Sequence, residues 1–169
     1  MTRRDFNDDH TPLGYLITFR AYGTWLHGDE RGSVDRDHHR YGSPMLPSSP
    51  RREQIERSLL KQPPVKLNAR RRTAIDCGIR ETCAIRNWTL WALNVRSNHL
   101  HCVVAANCNP KTVLVAVKAN ATRSMRDAGC WNSDLSPWAR GGSKKYLWTE
   151  EELTNAVAYV VEDQGNPLK

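Results

Sequence analysis

The chain has 169 residues, enough for one domain, and its 25 Lys and Arg against 18 Asp and Glu leave a net charge of +7. Mean hydropathy is −0.66, and no apolar run approaches the roughly 18 to 20 residues of a membrane span, so neither a membrane protein nor a chain with the apolar leader of secretion is expected. Five cysteines (77, 83, 102, 108 and 130) without a C-x-x-C pair read as the reduced thiols of a cytoplasmic protein, and a pI near 9.4 points weakly to a polyanionic partner.

In chain order, residues 1–12 read as a flexible tail, and Leu13 to Tyr22 (LGYLITFRAY) as a strand rich in aromatic and branched residues. Residues 23–50 carry many Gly, Ser, Pro, His and Asp, the composition of a long loop or insertion, and His27, His38 and His39 are expected at its surface. Pro50 opens a helical stretch, RREQIERSLLK, stopped by Pro63-Pro64. Leu67 to Arg86 follows as a second helical segment, with Leu67, Ala74, Ile75, Ile79 and Ala84 on one side. Trp88 to Val95 and His99 to Ala106 read as strands joined by the hairpin-sized turn Arg96-Ser97-Asn98. Asn109-Pro110 caps a helix running to about Asp127, and a glycine-containing loop leads to a short strand from Lys145 to Trp148. Thr149 with Glu152 three residues on forms a capping box for a last helix. Two strand–helix–strand halves followed by an extra helix predict an α+β fold: a ferredoxin-like antiparallel sheet with helices on one face and a C-terminal helix besides. Residues 13–169 then form one domain with a loop insertion at about 23–50.

The charge is uneven. From Arg51 to Arg72 there are eight basic and two acidic residues, a net of +6 that includes Arg51, Arg52, Arg70, Arg71 and Arg72. A smaller cluster, Arg140, Lys144 and Lys145, flanks the glycines of RGGSKKY, whereas 149–163 holds five acids and no base. Either run alone reads first as a solvated face; together they are the candidate phosphate contacts of a nucleic-acid-binding protein. Six tryptophans (25, 88, 91, 131, 138 and 148) offer stacking surfaces, although packing is the commoner use of each.

His99-Leu100-His101 opens a strand, so both imidazoles point to one face while Leu100 and Cys102 point to the other. Two imidazoles so placed can share a divalent cation, or can simply be polar residues at an exposed strand end. A zinc site completed by Cys102 or Cys108 has no supporting spacing. On the last helix Leu153, Ala156, Val157, Val160 and Val161 form an apolar stripe, with Tyr159 about 140° from its centre. Glu162 and Asp163, three and four residues on, neighbour Tyr159 on the helix surface, and Gln164 falls near the apolar side.

Together, SNHLHCVV followed by a helix, then GSKKYLW, then a helix carrying AYVVEDQGNP, resembles the single-tyrosine HUH transposases. The likeness is closest to the insertion-sequence-200-like group and the REP-associated tyrosine transposases, and it spans roughly residues 13–167. It implies a metal-dependent enzyme that cleaves and rejoins single-stranded DNA, with a hairpin beside the cut, through a covalent phosphotyrosine intermediate. Tyr159 would be the nucleophile; His99, His101 and Asp163 would hold Mg²⁺ or Mn²⁺, with Glu162 and Gln164 as alternatives for the third ligand. Asp163 departs from the Asn or Gln more usual at that position but remains a hard oxygen ligand. A nucleoid-associated, bacterial-type location and a homodimer belong to the same expectation. Against it stand a non-catalytic ferredoxin-like nucleic-acid-binding module and an HUH replication-initiator nickase. The His99–Ala106 strand lacks the aromatic pattern of an RNA-recognition sheet, which weighs against the first. Relaxases place the tyrosine before the histidines, the reverse of the order here, and initiators commonly occupy longer chains.

Overall fold

A computed structural model of the chain describes residues 11–31 and 45–162. Residues 1–10 of the expected N-terminal tail, residues 32–44 of the loop with His38 and His39, and the residues after Glu162, among them Asp163 and Gln164, lie outside the described residues. The elements are β1 (Gly14–Arg20), α1 (Pro50–Ser58), α2 (Ala69–Ile85), β2 (Thr89–Val95), β3 (His99–Ala105), α3 (Pro110–Asp127), β4 (Ser143–Leu147) and α4 (Glu150–Glu162). The four strands make one antiparallel sheet in the order β2-β3-β1-β4, the arrangement of a ferredoxin-like fold.

Strand alternation divides the sheet into two unlike faces. Tyr15, Ile17 and Phe19 of β1 and Leu100, Cys102 and Val104 of β3 point to one face, where α2 and α3 cover them in the main core. α2 contributes Ala74, Ile75, Ile79 and Cys83 to that core, and α3 contributes Val113, Val117, Ala121 and Met125. The two helices approach most closely at Gly78, where a Cβ would lie 2.3 Å from Ser124 Oγ. Leu67 is buried ahead of α2, its backbone N–H bonded to Ser97 O at 2.7 Å, but Ala84 is exposed and Thr82 and Cys83 take the buried positions instead. The expected stripe ended one helical face away because α2 lies across α3 as well as β2, which shifts its covered side.

On the other face α4 covers a smaller cluster built from Leu16, Ala92, Val103, Leu147, Leu153, Ala156, Val157 and Val160. Its capping box forms as its spacing requires. Thr149 Oγ1 accepts from Glu152 N at 3.1 Å, and Glu152 Oε2 accepts from Thr149 N at 3.3 Å and also from Trp148 N at 2.7 Å. Val161, expected in the stripe, is 61% exposed because it falls at the stripe's edge in the last turn. α1 buries no residue and is tied on by Ser49, whose N–H donates to Gly28 O at 2.9 Å. Gly28 has φ +95°, and a Cβ there would meet Ser49 O at 2.4 Å, so this crossing admits only glycine. Among the described residues no helix is long and apolar enough to cross a membrane.

Candidate active site

The α4 face of the sheet is graded in rows. Pairing places Lys145, Leu16, Val103 and Ala92 side by side across the four strands, an apolar row with one basic end lying under α4. The next row is Ser143, Thr18, His101 and Asn94, and beyond it Arg20 stands opposite His99. Side chains in register share a face, so one surface carries an apolar row under α4, then a polar row, then a basic one.

Both histidines project to this face, with ring centroids 4.9 Å apart. His101 is only 6% exposed, and its Nδ1 lies 2.6 Å from Thr18 Oγ1. His99 Nδ1 lies 2.6 Å from Asn98 Oδ1, so that ring nitrogen carries the proton and donates. Holding Nδ1 in this way fixes each ring's rotation, as second partners do for imidazoles that ligate cations. Tyr159 lies in the last turn of α4, 41% exposed, with its ring centroid 5.3 Å from that of His101. It therefore flanks the buried stripe rather than standing opposite it. Without Val161, the stripe's centre turns toward Tyr159, to about 110°. The same turn is anchored by Asn94, whose Nδ2 donates to Val160 O at 3.0 Å.

The structure thus brings His99, His101 and Tyr159 of a single chain together. Glu162 is exposed at the end of α4, and no group of three or more His, Cys, Asp or Glu is assembled for a cation among the described residues. The two imidazoles supply donors suited to a divalent ion, and a third ligand from Asp163 or Gln164 falls outside the described residues. Cysteine does not enter the site: Cys102 is on the opposite face, and burial pushes the Cys83 thiol up to about 11 and raises Cys102 as well. His27, expected at the surface, is half-buried.

The basic candidates divide. Arg51 and Arg52 are exposed on α1, and Arg140 is exposed in the loop before β4. Lys145 shares the face of the histidines, whereas Lys144 points to the α3 side and donates to Gly142 O at 3.1 Å. Arg70, Arg71 and Arg72 spend donors on the protein. Arg70 Nη2 reaches Ala128 O at 2.5 Å, Arg71 reaches Cys130 O at 3.0 Å and Lys66 O at 2.8 Å, and Arg72 reaches Leu67 O at 2.9 Å. The bonds to Ala128 and Cys130 tie the start of α2 to the loop after α3, and those to Lys66 and Leu67 tie it to the segment just ahead of the helix.

Three residues of this face were missed from the sequence: Thr18, Arg20 and Asn94. The signal was present in ITFRAY, where Thr18 and Arg20 alternate with Ile17, Phe19 and Ala21 as the polar side of a half-buried strand. The Arg20 guanidinium lies over the Trp25 ring, 3.6 Å from its centroid, and Arg31 lies 4.2 Å from the same centroid. Burial pulls Arg20 below the ordinary arginine range and the charge of Arg31 adds to this, while Asp29 and Tyr159 oppose it. Asp29 is engaged by Arg31, which contacts it through Nε at 2.7 Å, Nη2 at 2.5 Å and the backbone N–H at 2.9 Å.

No family model matches the chain, and no curated protein matches it in sequence. In fold the chain is similar to a solved structure of a REP-associated tyrosine transposase bound to a REP hairpin. The superposition covers 95% of this chain and 69% of that chain, with a TM-score of 0.51 and 10% sequence identity. At that identity the likeness is one of fold alone; in this chain His99, His101 and Tyr159 converge on one face of the sheet.

Proposed function

We propose that this protein is a DNA strand transferase that nicks and rejoins single-stranded DNA through Tyr159. The observation that carries this reading is the Tyr159 ring set 5.3 Å from His101 of the H-x-H pair, on a fold shared with a tyrosine transposase. Supporting it, the fold neighbour holds a DNA hairpin, and a hairpin beside the cut is the substrate form proposed for this chain. In the reaction Tyr159 Oη attacks a backbone phosphorus and the bond to one sugar oxygen breaks. The phenolic proton goes to solvent and the released sugar oxygen takes one up. The new ester has a phenolic leaving group of pKa about 10, so a second sugar hydroxyl can displace it and reseal the strand without an added energy source.

His99, His101 and Asp163, with Glu162 or Gln164 as alternatives to Asp163, are proposed to hold Mg²⁺ or Mn²⁺, which would offset the negative charge gathering on the phosphate. Thr18 and Asn98 fix the two imidazoles, and Asn94 holds the turn that presents Tyr159. Arg51, Arg52, Arg70, Arg71, Arg72, Arg140, Lys144 and Lys145 are proposed to hold the strand by its phosphates.

Labelled single strands incubated with Mn²⁺ or Mg²⁺ should yield a protein–DNA adduct that survives denaturation. Tyr159→Phe should abolish it, and so should His99→Ala together with His101→Ala. An adduct formed by Tyr159→Phe would remove the nucleophile assignment. Binding without an adduct under any of these conditions would favour a non-catalytic nucleic-acid-binding module.

A further inference from the structure

Many of the described arginines are committed to the protein, and Arg51, Arg52 and Arg140 are exposed. Arg31, Arg57, Arg80 and Arg123 pair with carboxylates, and Arg70, Arg71 and Arg72 donate to carbonyls. Arg20 differs. It is half-buried, and among the described residues its guanidinium donates no hydrogen bond to a protein acceptor. The nearest carboxylate in its electrostatic surroundings, Asp29, already receives three hydrogen bonds from Arg31. Buried polar groups are nearly always satisfied, and a half-buried cation with five in-plane donors beside a second cation is costly unless something else meets it.

Its placement says what that ligand is. Arg20 stands opposite His99 across the β1–β3 ladder, on the face that carries His101, two rows beyond the apolar cluster that packs against α4. Stacking on Trp25 uses the flat side of the guanidinium and leaves its N–H edge for an acceptor in the plane. A planar fork of donors on a surface flanked by a second cation matches two oxygens of one phosphate and is poorly matched to a neutral group.

We propose that Arg20, stacked on Trp25 and in register with His99, binds the phosphodiester that Tyr159 attacks. This rests on the function proposed above and adds a substrate-binding residue to it. Trp25 is a positioning residue that sets the plane of the fork.

The test couples the Arg20 charge to a single phosphate charge. Single-stranded oligonucleotides carrying one uncharged methylphosphonate at successive linkages are bound to Tyr159→Phe, and to Tyr159→Phe with Arg20→Met. Methionine keeps an apolar contact on Trp25 and removes the charge. With Arg20 present, one linkage should cost about tenfold in affinity when neutralised. With Arg20→Met that penalty should vanish at that linkage alone, while melting temperatures of the two proteins agree. Arg20→Lys should recover affinity yet leave adduct formation slow, because an ammonium is a point charge without the fork. Equal penalties at every linkage in both proteins would overturn the proposal. The coupled linkage should also be the one joined to Tyr159 in the wild-type adduct. Coupling without any adduct would uphold the phosphate contact and remove the nucleophile reading, whereas an adduct without coupling would do the opposite.

Discussion

Replacing Thr18 with valine tests whether a single hydroxyl sets the geometry of the histidine pair. The substitution keeps the branched shape and removes only Oγ1, which lies 2.6 Å from His101 Nδ1. His101 is 6% exposed, so water cannot readily take over the lost partner. Leaving a buried polar atom unsatisfied costs about 1 to 3 kcal/mol. Taking about 1.5 kcal/mol, and a urea dependence of about 2 kcal/mol per molar, the unfolding midpoint should fall by about 0.7 M. Thr18→Ser is the control. It discards a half-buried methyl, worth about 0.5 to 1 kcal/mol, and keeps the hydroxyl. The serine variant should therefore be the more stable of the two, although valine is the more apolar residue. Residues that orient metal-binding histidines typically cost 10- to 100-fold in activity when changed, so valine should slow adduct formation by about that factor and serine only a few-fold. The assay is urea unfolding followed by fluorescence, with adduct yield measured against time on the same preparations. Equal midpoints and equal rates for valine and serine would show that the Thr18–His101 bond fixes nothing.

Two further predictions concern charge. Changing Arg70, Arg71 and Arg72 together to lysine keeps three charges but breaks their bonds to Ala128, Cys130, Lys66 and Leu67 carbonyls. Stability should fall while the salt dependence of DNA binding stays as it was; changing them to glutamine should also flatten the log–log salt slope by about 2, and identical slopes for both variants would take this segment off the binding surface. The second concerns Asp29, whose carboxyl the Arg31 hydrogen bonds hold down to about 2, below its unfolded value near 3.9. A carboxylate with a lowered folded pKa stabilises above its unfolded pKa, and that contribution disappears as pH falls from about 4 through 2. Since Arg31 is nearly half exposed, screening reduces the effect to about 1 kcal/mol. Asp29→Asn should thus lower the urea midpoint at pH 7 and match the parent near pH 2, and a gap independent of pH would refute the ion-pair account.

Local periodicity carried the four strands, the three packed helices and the shared face of His99 and His101, because each depends on residues two to four positions apart. The capping box at Thr149 and Glu152 was equally local. What stayed hidden depended on partners distant in the chain. Thr18 reaches His101 only through the β1–β3 register, 83 residues away, and Asn94 reaches Val160 across 66. Ala84 and Val161 satisfy a helical stripe but lie at its margin, where the neighbouring element decides which side is covered. The arginine run at 70–72 reads as solvated charge until the loop after α3 brings carbonyls beside it. Arg20 was overlooked for a different reason: its strand was read for its apolar members, and its alternating polar members were the ones that line the site.

The electrostatics of α4 explain why cations have to gather where Tyr159 sits. Glu150, Glu151 and Glu152 occupy the first turn, where the positive end of the helix dipole favours them. Tyr159 is in the last turn, at the negative end, followed by Glu162 and with no basic residue in that turn to offset it. A phosphate drawn to the Tyr159 hydroxyl would therefore meet partial and full negative charge together, and the proposed transfer would add more as the phosphorus–oxygen bonds exchange. The sheet supplies the opposite sign at the same place, because Arg20 and His99 stand in register one row beyond Thr18 and His101 on the same face. One surface thus gathers two imidazoles and a guanidinium beside Tyr159, the proposed nucleophile.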